Sequence, residues 1–324
     1  NLFPKRTLHQ QTVQLKRFFR VPLFRHMRGQ RANDPATGTR AHTRRINHLN
    51  LCAAQQTRIS HRQTKNTRTH HCHINRCHIR PFRPIDWACI RHRAMINQTA
   101  SLTWQTTSAG RVPVSDQFDD PYYSLKDGLA ETQYVFLAGN DLPDRFGGDF
   151  HIGELGFGTG LNFLVTWDAW IRAGAKGQLR FTSFEAYPMA ISDMQAALIA
   201  FPQLAHLAGI FLKKWAPDAG AIALADGVTL NVIIGDARQT LPAWSGAADA
   251  WYLDGFSPDK NPELWEPALL IQVAKHTAIG GTAATYSAAG HVRRSLKAAG
   301  FDVKRIPGFG SKWHMAVARL PDAK

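Results

Sequence analysis

The feature that most restricts the fold of this chain is a run of alternating strand and helix patterns that begins at Phe150. Phe150-His151-Ile152-Gly153-Glu154-Leu155 reads as a buried strand, Gly156-Phe157-Gly158-Thr159-Gly160 as a glycine-rich turn, and 161–173 as a helix. Strands then read at 179–185, 230–235 and 248–254, with a helix at 192–200 between the first two. A helix at 264–275, a strand at 281–286, a helix at 292–299 and strands at 302–306 and 314–320 complete the series. Such alternation builds an α/β fold, a mostly parallel sheet of about seven strands with helices on both faces and ligands at the strands' carboxyl ends. Residues 95–149 read as a lead-in to that core. They hold short alternating pieces, the turn signals Asp127-Gly128 and Gly147-Gly148, and one amphipathic run, 129–137, that predicts a helix.

Charge divides the chain at the same boundary. Residues 1–94 carry 20 Lys and Arg against 2 acids, net +18, whereas residues 95–324 carry 19 against 22, net −3. Ten of the fifteen His and all four Cys (Cys52, Cys72, Cys77, Cys89) also precede Met95, so the remainder can hold neither a disulfide scaffold nor a thiolate metal site. Residues 1–94 lack a sustained hydrophobic period and are rich in Arg, His, Thr, Gln and Asn, too polar to offset chain entropy by burial. Three readings apply to them: a basic nucleic-acid-binding arm, a zinc module drawn from His70, His71, Cys72, His73, Cys77 and His78, or upstream DNA translated from too early a start. The Cys spacings match no common pairing of short-spaced zinc ligands, and the third reading is the expectation. No apolar run reaches the roughly 18–20 residues of a membrane-spanning helix, and a cytoplasmic protein without a membrane partner is expected.

The predicted strand ends carry the chemistry. Gly156, Gly158 and Gly160 let backbone approach a ligand closely. Their spacing, G-x-G-x-G with Leu161 where a third dinucleotide-type glycine would fall, weakens a diphosphate-binding reading. Glu185 ends the next strand, where a carboxylate can accept from both hydroxyls of a ribose. Asp236 follows the strand after that, placed to accept from the exocyclic amine of adenine. Together these point to an adenosine-bearing ligand without a diphosphate, of which S-adenosylmethionine is the commonest. Asp254 ends the fourth strand, where a cationic cofactor and an acceptor atom would meet. The loop behind it is stiffened by Pro258 and Pro262, and for Phe256 and Trp265 a core or turn role is expected rather than base stacking.

Residues from about Leu102 to Leu320 resemble the methyltransferase domain of the MnmC family of tRNA wobble-uridine modification proteins and its stand-alone relatives. The resemblance rests on Phe118-Asp119-Asp120-Pro121-Tyr122-Tyr123-Ser124, on 128–137 with Gly139-Asn140, on 154–163, on Asp254-Gly255-Phe256 through Trp265, and on 285–290 with Val292-Arg293-Arg294. It implies a Rossmann-like S-adenosylmethionine-dependent methyltransferase fold and N-methylation of 5-aminomethyl-(2-thio)uridine to the 5-methylaminomethyl form, with the tRNA anticodon region as partner. The flavin-dependent oxidase domain of the bifunctional family has no counterpart up to Lys324, so FAD chemistry is not expected of these residues and a separate FAD-dependent oxidase is an expected partner. Asp254 is the candidate to hold the amine and relay its proton, with Tyr122 and Asn140 closing over the cofactor; no metal is required. Residues 291–314, with Arg293, Arg294, Lys297, Lys304, Arg305 and Lys312 against Asp302 alone, form a local +5 suited to RNA phosphates. The alternatives are a small-molecule methyl- or aminopropyltransferase on the same fold, and a non-enzymatic RNA-binding protein acting through its basic arm.

Overall fold

The structure is a computed structural model that describes residues 99–322, except 109 and 218; the readings made on residues 1–94 lie outside the described residues. The lead-in starts with a small antiparallel sheet of β1 (Leu102–Thr107), β2 (Gly110–Ser115) and β3 (Asp120–Pro121). Helix α1 (Gly128–Thr132) follows and runs on as a π-helical stretch, Gln133–Leu137, so the amphipathic run is helical but not uniformly α. Asp127 sets its start: in extended backbone, its carboxylate accepts from the Ala130 N–H and satisfies a donor that the first turn leaves free.

The core elements are β4 (Phe150–Leu155), α2 (Leu161–Arg172), β5 (Leu179–Glu185), α3 (Ile191–Leu198), α4 (Ala205–Lys214), β6 (Ala221–Ala225), β7 (Val228–Ile234), α5 (Ala237–Ala243), β8 (Ala248–Leu253), α6 (Pro267–Lys275), β9 (Thr277–Thr285), α7 (Gly290–Ala298), β10 (Asp302–Pro307) and β11 (His314–Arg319). They build one eight-stranded sheet in the order β10-β11-β9-β8-β4-β5-β7-β6. The five strands from β9 to β7 run parallel, while β11, β10 and β6 are antiparallel to their neighbours. The eighth strand, beyond the seven expected, is β6, whose alanines give little β signal and which, among the described residues, pairs only with β7. Helices α4 and α5 are likewise additions to the expected series.

Alternation along the strands divides the core between the two faces of the sheet. Ile152, Phe163, Phe181 and Tyr252 pack on one side, and Leu155, Phe184, Trp251 and Leu270 on the other. Each such side chain taken out of water contributes about 1.5–3 kcal/mol. The first seven residues of α2 are all buried. A helix apolar on nearly every side belongs inside, which makes its polar Asn162 conspicuous. Because β4 has β5 on one side and β8 on the other, the carboxyl ends of all three open onto one crevice.

Candidate active site

That crevice holds a cavity of about 550 Å³. The turn after β4 forms one wall. Gly156 has φ +88°, and a Cβ there would collide with the carbonyl oxygen of Asp254, so only glycine lets the turn lie against the end of β8. Gly158 faces the ring of Tyr122, which lines the cavity from the lead-in. Gly160 is not among the lining residues; at φ +79° it turns the chain into α2.

Glu185 comes to the turn from the end of β5. Its Oε2 accepts from the backbone N–H of Phe157 (2.8 Å) and Gly158 (3.0 Å), and its Oε1 from that of Tyr187 (2.8 Å). Burial pushes this carboxyl above the usual range, against the pull of the N–H donors. It lines the cavity and ties the glycine turn to β5, a duty that sequence reading did not foresee. The Ala186 N–H is a further donor to this carboxylate, so its roughly four lone-pair sites are largely taken by backbone. Asp236 also lines the cavity, but its carboxylate caps α5 through the Arg238 N–H (2.8 Å) and meets the Arg238 guanidinium at 2.7 Å. Burial raises its pKa, and the Arg238 hydrogen bonds outweigh that and leave it below the usual value.

Asp254 follows β8. Asn162 Nδ2 donates to its Oδ2 at 2.6 Å and to Glu154 Oε1 at 2.9 Å, while Asn162 Oδ1 accepts from the Thr132 hydroxyl at 2.9 Å. Burial pushes Asp254 up to about 7, opposed by the Asn162 hydrogen bond and by Lys312, and reinforced by Glu131 and Asp120. Glu154 is wholly buried and pushed well above the usual carboxylate range, chiefly by burial; its Oε2 has no hydrogen-bond partner. Neither Glu154 nor Asn162 was singled out as a site residue from the sequence, although both stand in the 154–163 motif.

The loop after Asp254 is tied to the lead-in. The Ser257 N–H donates to Asp120 Oδ2 (2.8 Å), Phe256 stacks on Phe118 (ring centroids 4.8 Å apart), and Tyr122 meets Phe256 edge-on. Trp265 Nε1 donates to the Phe256 carbonyl and the Tyr286 hydroxyl to that of Gly255; Trp265 is buried in the core, whereas Phe256 lines the cavity. Lys312, in the turn between β10 and β11, donates to Glu131 Oε1 (2.9 Å) and lies 3.7 Å from the Tyr286 ring centroid.

Asn140 requires a correction. It is fully buried away from the cavity, donates to the carbonyls of Phe136 and Trp251, and accepts from the Thr282 hydroxyl. Its polar atoms are spent on joining the lead-in to the sheet, so it cannot also close over a ligand. Of the six basic candidates for RNA, only Lys312 reaches the cavity. Arg293, Arg294 and Lys297 lie on α7, and Lys304 and Arg305 on β10. Among the described residues, no three His, Cys, Asp or Glu side chains are placed to hold a metal ion, and no single helix is long and apolar enough to cross a membrane.

Residues 202–321 match the family described as S-adenosyl-L-methionine-dependent methyltransferase. The tRNA 5-methylaminomethyl-2-thiouridine biosynthesis bifunctional protein MnmC of Pseudomonas syringae pv. syringae is 47% identical over 230 residues, which cover 68% of this chain and 34% of that protein. The protein of the same name from Vibrio cholerae is 44% identical over 241 residues, 69% of this chain and 35% of the relative. The chain thus spans about a third of the length of the curated relatives it matches. The crystal structure of MNMC2 from Aquifex aeolicus superposes with a TM-score of 0.58 at 23% identity, covering 72% of this chain and 77% of that one. The fold is therefore the Rossmann-like S-adenosylmethionine-dependent methyltransferase fold expected.

Proposed function

We propose, from homology to MnmC over about two thirds of the chain, that this protein is a tRNA N-methyltransferase converting 5-aminomethyl-(2-thio)uridine at the wobble position to 5-methylaminomethyl-(2-thio)uridine. The observation that carries the reading is Asp254, a proton acceptor with pKa of about 7 at a strand end beside a glycine turn. The residues present fit S-adenosylmethionine. The turn at Gly156 is a cradle that a Cβ would fill, and Glu185 and Asp254 give the cavity an acidic lining that suits a cation, with Asp236 beside them paired to Arg238. When bound, this cofactor supplies an electrophilic methyl group on a positively charged sulfur.

The chain's own residues do the rest. Phe118, Tyr122 and Phe256 surround the incoming amine with apolar surface, and desolvation favours its neutral, nucleophilic form. Asp254 would orient the amine by accepting one of its hydrogens, and its carboxylate would take the proton that the nitrogen must lose once it carries the methyl group, the methyl–sulfur electron pair staying on sulfur. Residues 150–324 form the catalytic core in this reading, residues 95–149 close the cavity, and residues 1–94 take no part. The basic residues of α7, β10 and the following turn receive phosphates of the anticodon region. A separate FAD-dependent oxidase exposes the amine beforehand, and both work in the cytoplasm.

The test is methyl transfer from labelled S-adenosylmethionine to tRNA bearing 5-aminomethyl-uridine, read by mass spectrometry of nucleosides. Label on the wobble nucleoside is expected. Cofactor binding with label only on small amines would replace this reading by a small-molecule methyltransferase, and no cofactor binding would remove the enzyme.

A further inference from the structure

Asn162 is a buried amide joined to three elements at once: α1 through Thr132, β4 through Glu154, and the end of β8 through Asp254. An amide nitrogen has two hydrogens, which suffice for both carboxyl groups, and the Thr132 hydroxyl on the amide oxygen makes the flipped orientation unfavourable. The flip would set the amide oxygen against two carboxyl groups. Glu154 beneath has no path to water and one oxygen without a partner, a burial affordable only for the neutral acid. The donor of Asn162 is therefore directed at the one carboxylate that ionises.

We propose that Asn162 is a positioning residue for the proton acceptor: it binds one oxygen of Asp254, leaves the other for the amine, and favours the carboxylate over the protonated acid. The inference rests on the methyltransferase reading above. The groups acting on Asp254 are Glu131 and Lys312 from the lead-in helix and the β10–β11 turn, Asp120 from β3, Tyr286 after β9, and Glu154 from β4; of these, Glu154 is the one hydrogen-bonded to Asn162, and as a neutral acid it adds no charge when that donor is lost.

The experiment compares wild type with Asn162→Leu, which keeps the size and removes the donor, by the pH profile of kcat. In wild type, kcat rises with pH as Asp254 ionises near pH 7. A charge-assisted hydrogen bond lost from the ionised form moves that rise upward by about one to two pH units, so kcat at pH 7 falls roughly tenfold or more and recovers at higher pH. Cofactor affinity by calorimetry stays within about twofold, which separates positioning from loss of structure. A folded Asn162→Leu with the wild-type profile overturns the inference. Should that variant not fold, Thr132→Val, which only frees the amide, must show a smaller shift of the same sign, and an unshifted profile there overturns it equally. Inactive wild type on the tRNA substrate would instead overturn the methyltransferase reading on which it rests.

Discussion

Asp254→Asn should yield a protein that is catalytically disabled and yet more stable than wild type above pH 7. Burial raises this carboxyl from an ordinary 3.8 to about 7. Between those values the folded state holds a proton that the unfolded chain has released, so rising pH favours unfolding throughout that window. At about 1.36 kcal/mol per unit, the full cost above pH 7 is about 4 kcal/mol, and it shrinks to about 1 kcal/mol at pH 4.5. Asparagine resembles the protonated acid: it can still offer an oxygen to the Asn162 donor, and it never ionises. The variant's advantage should therefore be slight near pH 4.5, grow to pH 7 and level off, reaching roughly 8–16 °C in Tm at 2–4 °C per kcal/mol for a domain of this size. Turnover should fall on the order of 10²–10⁴-fold. Thermal unfolding from pH 4.5 to 8.5 and labelled methyl transfer measure both halves. A stability difference that does not vary with pH would refute the assignment of the raised pKa to Asp254, and near-normal turnover would show that solvent takes the proton.

Glu185→Ala removes the acceptor for the Phe157 and Gly158 N–H groups as well as one for the ligand; charge-assisted bonds of about 1.5–3 kcal/mol each imply at least a tenfold weaker S-adenosylmethionine affinity, and unchanged calorimetric affinity would take Glu185 out of the site. Asn140→Ala should act on the fold instead, lowering stability by about 1–3 kcal/mol through the groups it leaves unpaired, with cofactor affinity of the folded protein preserved; weakened affinity at full stability would return Asn140 to the site. A chain beginning at Met95 should fold and methylate like the full chain, because the composition of residues 1–94 supports no core; loss of either property, or one tightly bound zinc per full-length chain, would contradict this.

Hydrophobic period and glycine spacing are local properties, and they made the parallel sheet legible. The strand ends at Glu185, Asp236 and Asp254 followed from it, since in a parallel sheet every carboxyl end faces the same side. The antiparallel edge β6 escaped because its small residues carry little period of their own and it is held mainly by pairing with β7.

The sequence by itself also determined that this site would be acidic and glycine-walled. What it could not determine is how the acids differ from one another. Asp236 is neutralised by Arg238, two residues away, whereas Asp254 is left to burial and to an amide 92 positions earlier in the chain. Asn140 stands in a conspicuous motif and yet spends its amide between Phe136 and Trp251, 111 residues apart from the latter. A carboxyl group's proton affinity, and whether a polar side chain meets ligand or backbone, depend on desolvation and on partners brought within hydrogen-bond distance by folding. Those distances exist only once the lead-in, α2 and the end of β8 are packed together.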